Sequence, residues 1–155
     1  MKTSAIIIVL FSIFISCEKE NFTLEGEEYL IFGTYNGFCQ GNCTSLFKIN
    51  QEQLLSDDMS TFVPGETVKF EEAPLSKDKY DVAYEAFDRL PDELNETMDK
   101  SFGCPGCVDQ DIIYLEYFDG VETHIWQVDT QVEDLPGYLV DYADRLVRIV
   151  GILSE

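Results

Sequence analysis

The residues of this chain best suited to chemistry are five cysteines and a single histidine, His124. Four of the cysteines fall in two close pairs, Cys39 and Cys43 in CQGNC, and Cys104 and Cys107 in CPGC. Paired thiols can form disulfides, hold a tetrahedral metal as four thiolates, or cycle electrons. In CPGC, Pro105 and Gly106 suit the centre of a type II turn, which brings its ends within about 7 Å, close to disulfide range. Gly41-Asn42 could fold CQGNC enough for its two cysteines to meet as well. The pairs could instead cross-link to each other, closing a loop of about sixty residues and stabilising by about 4 kcal/mol through chain entropy. Against a zinc site, the pairs are much farther apart than in a zinc ribbon, and Cys39 and Cys43 are separated by three residues rather than two. Against redox chemistry, such a pair should open a helix after a strand, whereas CPGC follows a helical pattern and precedes a strand. The spacing favours structural disulfides. A zinc or copper site built from Cys39, Cys43, Cys104 and Cys107 is the alternative.

No other constellation reads as catalytic. His124 lies inside a β-rich run, where a hydrogen-bonded strand histidine is the ordinary outcome. No Ser or Cys stands in a nucleophile motif, and no glycine loop fits a phosphate or dinucleotide. Asp109-Gln110-Asp111 lacks the glycine and distal glutamate of a calcium loop. Asp57-Asp58 and Glu71-Glu72 read as solvated charges. Tyr29, Phe32, Tyr35 and Phe38 could form a stacking platform for sugars or peptides, although strand aromatics more often belong to a core. The expectation is a non-catalytic binding domain without a cofactor.

The elements that must position these residues follow from periodicity. A strand is expected over about 29–38, with a second in CTSLFKIN pairing back on it. The stretch 51–66 reads as a loop, and TVKFEE as a short third strand. Val82, Ala86 and Leu90 share a face with Ala83 and Phe87 beside them, which predicts a helix over about 77–90 stopped by Pro91. A further turn follows around 92–98. Asp119-Gly120 sits between two β-rich runs and is the strongest hairpin signal. With Phe118 opposite Val121, Leu115 would face His124 and Ile113 would face Trp126. In the last segment Leu139, Tyr142, Leu146, Ile149 and Leu153 form one helical stripe, with Pro136 at the first helical position. The fold class is therefore α+β: an antiparallel sheet of four to five strands with two helices packed on one face.

The chain begins MKTSAIIIVLFSIFISCEKE. Its apolar run is shorter than the roughly 20 residues of a membrane span and suits a secretory signal peptide. Ser16-Cys17 at its end resembles the lipobox of bacterial lipoproteins. That resemblance implies cleavage after residue 16 and acylation of Cys17, which would hold the protein to a membrane. Three segments result: a signal peptide (1–16), a lipidated N-terminus with an acidic tether (17–27), and one α+β domain (28–155). The acidic residues after Cys17 resemble the export signal of surface lipoproteins in the Bacteroidota. FGTYNGFCQGNC, GCPGCVDQ and YLEYFDG…WQVDT…LPGYLVDY together resemble a group of small Bacteroidota lipoproteins. The resemblance implies a cell-envelope address at the outer membrane, facing either the surface or the periplasm, and no catalytic residue.

Composition bounds the partners. Ten Lys and Arg against thirty Asp and Glu leave a formal charge of −20. Such a surface cannot supply the basic stripe that phosphate backbones require, which excludes nucleic acid as a partner. Solubility accounts for that charge, and steering of a basic partner is the sharper reading. Aromatics at 13% and hydrophobics at 45% suit a packed core. A protein or peptide at the envelope is the expected partner.

Overall fold

A computed structural model describes residues 27–41, 43–59, 61–98 and 100–155. The expected signal peptide, the lipidated Cys17 and all of the tether but its last residue lie outside the described residues, as does Asn42 of the first cysteine turn. Among the described residues the fold is α+β, with one six-stranded sheet and three α-helices. The strands are β1 (Tyr29–Tyr35), β2 (Thr44–Ile49), β3 (Leu54–Ser56), β4 (Ser101–Phe102), β5 (Ile112–Phe118) and β6 (Thr123–Asp129). The helices are α1 (Lys77–Asp88), α2 (Asp92–Glu96) and α3 (Gly137–Leu153). Across the sheet the order is β3-β2-β1-β5-β6-β4. All pairs are antiparallel except β4 with β6.

The sheet is thus mixed and wider than four or five antiparallel strands. β3 falls inside the stretch 51–66 expected as loop, because three residues are too few to display alternation. β4 is shorter still, and its parallel partner is 26 residues downstream, a pairing that no local pattern announces. TVKFEE forms no strand; its Phe70 makes a single bridge to Asp57.

The helices cover one face. Leu30, Phe32, Phe47, Ile49, Ile113, Leu115, Trp126 and Val128 point from the strands into a core with Ala83, Ala86 and the α3 stripe. All five stripe residues, Leu139, Tyr142, Leu146, Ile149 and Leu153, are buried, as their spacing requires. Pro136 is the N-cap rather than the first helical residue, and its carbonyl accepts from Leu139 N–H at 2.8 Å. Helix α1 is N-capped by Ser76, whose Oγ accepts from the Lys79 N–H. Near its other end, the Ala86 carbonyl accepts from the buried Tyr142 hydroxyl at 2.8 Å, which locks α1 to α3. The Trp126 indole is fully buried, and Nε1 has no hydrogen-bond partner among the described residues.

On the opposite face lies a second, smaller cluster: Ile31, Tyr35, Leu46, Ile112 and Tyr114, covered by Phe62 and Val68 from the 57–72 segment. Gly33 makes this layer possible. It takes φ +153°, and a Cβ there would overlap the Ser45 carbonyl and lie 2.9 Å from Leu46 Cα.

The β5–β6 hairpin has a different register from the one expected. Phe118 pairs with Thr123, so Leu115 faces Trp126 and Tyr117 faces His124. The two central turn residues are Gly120 and Val121, with Gly120 at φ +95°, as in a II′ turn with glycine first. Asp119 does not adopt positive φ. Its Oδ1 accepts instead from the N–H groups of Val121 and Glu122, both at 2.8 Å. A shift of two residues preserves which side chains share a face and changes only their partners.

Candidate functional site

The helix-free face of the sheet carries a cleft of about 290 Å³. Its floor comes from four strands: Tyr29 and Ile31, Lys48, Tyr114 and Glu116, Thr123 and Ile125. Residues 65–68 and Phe70 form one wall. Register explains the convergence. Lys48 stands opposite Ile31, Ile31 opposite Glu116, and Glu116 opposite Ile125, forming one row across β2, β1, β5 and β6. Tyr29 and Tyr114 occupy the rows on either side and share that face by the period-2 rule.

Glu116 is held from both sides. The Tyr29 hydroxyl donates to Oε1 at 3.2 Å and the Tyr114 hydroxyl to Oε2 at 2.7 Å. Burial, and then the adjacent carboxylate, push both phenols above their ordinary range, so they stay protonated donors. The Lys48 ammonium lies 3.8 Å from the centroid of the Tyr29 ring. Among the described residues it makes no ion pair within 4.0 Å. Burial draws its pKa down, and the field of Glu116 partly opposes that. A half-desolvated cation over an aromatic face, with phenols and apolar walls around it, is equipped to take up a hydrogen-bond-accepting group of a ligand.

The aromatic residues considered as a platform separate. Tyr29 and Tyr35 lie on the cleft face, Phe32 is buried under the helices, and Phe38 is 70% exposed in a loop. Alternation forbids a single surface containing all four. Sequence reasoning missed Lys48 and Glu116. The available signal was one charged residue inside each of two otherwise apolar strands, TSLFKI and IIYLEYF.

The cysteines pair locally at disulfide distance, Cys39 with Cys43 and Cys104 with Cys107, with Cα separations of 6.0 and 5.5 Å. CPGC forms the expected turn: Cys107 N–H donates to the Cys104 carbonyl at 3.0 Å, and Gly106 takes φ +76°. The two loops lie side by side, since Asn36 Nδ2 donates toward Asp109 and Asp111 at 3.4 and 3.3 Å. The second loop is anchored by buried Asp129, which accepts from Cys104 N–H at 2.9 Å, Gln131 N–H at 2.8 Å and the Gln110 side chain.

His124 sits on the helix side of β6, away from the cleft, with its ring stacked on Trp126. Asp57 is no freely solvated charge. Half buried, it accepts from the N–H groups of Leu46 and Met59, and burial pushes its carboxyl up. Asp58, Glu71 and Glu72 are exposed as expected. Among the described residues no helix is long and apolar enough to cross a membrane. The chain matches no protein-family model and no curated protein sequence.

Proposed function

We propose that this is a lipid-anchored cell-envelope protein, held through Cys17 at the outer membrane, whose domain binds a protein or peptide and catalyses nothing. The observation that carries the binding half is the cleft, where the Lys48 ammonium, without an ion-pair partner among the described residues, stands beside Tyr29, Tyr114 and Glu116 on a floor four strands wide. Its size suits one or two side chains of a bound peptide, with a peptide carbonyl or carboxylate directed at Lys48. The anchoring half rests on the lipobox-like Ser16-Cys17 and the polar tether that follows it.

Each half has its own test. Cys17→Ala should free the protein from the membrane fraction; retention after carbonate washing would remove the anchor. A photo-crosslinking residue at Ile125, on the cleft floor, should capture a partner in intact cells, and Lys48→Met should abolish the capture. Equal capture from Val147, exposed on α3 across the sheet, would refute the cleft. Metal handling by Cys39, Cys43, Cys104 and Cys107 gains no support from this arrangement, because each sulfur is engaged within its own pair. It would require reduction first.

A further inference from the structure

We propose that the β5–β6 hairpin carries a divalent-metal site of the zinc class, with Asp119 Oδ2, Glu122 Oε1 and His124 Nε2 as its protein ligands. His124 Nε2 lies 3.5 Å from Glu122 Oε1 and 3.8 Å from Asp119 Oδ2. The three ligand atoms all fall within 4.8 Å of one another. With metal–ligand bonds of about 2.0–2.1 Å, a tetrahedral centre has edges of about 3.4 Å. The histidine–carboxylate distances therefore close onto an ion with shifts of a few tenths of an ångström, which the exposed Glu122 side chain can supply.

The imidazole distinguishes this group from the acidic surface around it. Only 18% of the His124 side chain is exposed. Its ring lies nearly parallel to Trp126, at 9° and 5.7 Å, and stacks less closely on Tyr117 at 6.5 Å. That packing holds the ring so that Nε2 faces the two carboxylates without any ligand having to order it. In the tautomer that leaves Nε2 without a hydrogen, the ring and the two carboxylates form three convergent acceptors. No lysine or arginine pairs with Asp119 or Glu122 among the described residues to relieve them. A cation seated between the three ligand atoms meets all of them at once. A cation is admitted from solvent beside Val121, which is almost fully exposed, and the strongly negative chain concentrates cations near its surface.

The donor set selects the metal class. One nitrogen and two carboxylates suit zinc, cobalt or nickel, whereas calcium and magnesium require more ligands, all oxygen. Three protein ligands leave a fourth position open for water or for a group on a partner.

The test uses the intact protein, stripped with a chelator and titrated with Zn²⁺ in a large excess of Mg²⁺. Tetrahedral Co²⁺ absorption serves as an independent reporter. The expected result is one zinc per chain, with His124→Asn and Glu122→Gln each weakening binding by at least about 10-fold. Asp119 also shapes the turn, so Asp119→Asn is interpreted only if its circular dichroism matches the parent. Zinc binding unchanged in His124→Asn would mean adventitious association with acidic surface and overturn the proposal. So would the absence of stoichiometric binding.

Discussion

Replacing Tyr142 with phenylalanine tests how α3 is fastened to α1. The hydroxyl is buried and donates at 2.8 Å to the Ala86 carbonyl, one of the last four carbonyls of α1 that have no partner within their own helix. Phenylalanine keeps the ring and its buried area, so the hydrophobic term is nearly unchanged. What is lost is the donor. A net hydrogen bond contributes about 1 kcal/mol, and a buried carbonyl left unpaired raises the cost to about 2 kcal/mol. For a domain of this size that is a fall in melting temperature of about 5–8 °C. Urea unfolding should show a lower midpoint at unchanged slope, because the surface exposed on unfolding is the same. Tyr84→Phe is the control: its hydroxyl reaches Gln51 at 3.4 Å on the surface, and its loss should cost less than about 0.5 kcal/mol.

The same pair predicts a pH signature. Burial pushes the Tyr142 phenol well above its ordinary 10.0, so only the unfolded chain ionises there as pH rises past 10. The folded state then binds more protons, and the stability present below pH 10 is lost progressively above it. Tyr142→Phe lacks that component, so the gap between parent and variant should narrow from pH 8 to 11. A Tyr142→Phe variant indistinguishable from Tyr84→Phe would show that the Ala86 carbonyl does not depend on this bond.

Further outcomes are open to measurement. Gly33→Ala should prevent stable folding or cost more than about 3 kcal/mol, because the new Cβ meets backbone of β2 rather than a movable side chain; a soluble variant of near-parental melting temperature would refute that. Asp129→Asn should cost about 1–3 kcal/mol, since an amide cannot accept all three bonds that hold the CPGC loop, and thermal unfolding reads this directly. Lys48→Met should leave stability unchanged or raise it, because it removes a charge that burial penalises. With the Lys48 pKa drawn below its ordinary 10.5, the unfolded chain holds the extra proton between the two values. Parental stability should therefore gain on the variant as pH rises through that window. Non-reducing peptide mapping should find Cys39 linked to Cys43 and Cys104 linked to Cys107, with no peptide joining the two loops.

How much of this was legible in the sequence depended on how local the determinant was. The α3 stripe could be read residue by residue, because one amphipathic helix against one core obeys a single period. The CPGC turn could be read because proline and glycine dictate its backbone. The hairpin was located but mis-registered, since Asp-Gly invites a turn with both residues at positive φ and Asp119 instead caps a turn centred on Gly120-Val121. Lys48 and Glu116 could be seen individually as charges in apolar strands. Their meeting depends on β2, β1 and β5 lying in adjacent register, and β1 and β5 are brought together only by the tertiary fold.

That central pairing also governs how the chain folds. β1 and β5 join over their full length from positions about 80 residues apart, so the two halves of the sheet, β3-β2-β1 and β5-β6-β4, are joined strand to strand by a long-range pairing. The cysteine pairs close spans of only 4 and 3 residues, one in each half, and neither shortens the search for that contact. Oxidation and strand pairing are therefore separable events. Each loop can oxidise in a half-formed chain without trapping a wrong topology. During synthesis the β1 edge of the first hairpin stays unpaired until β5 emerges, which leaves that edge open to wrong pairing in the interval.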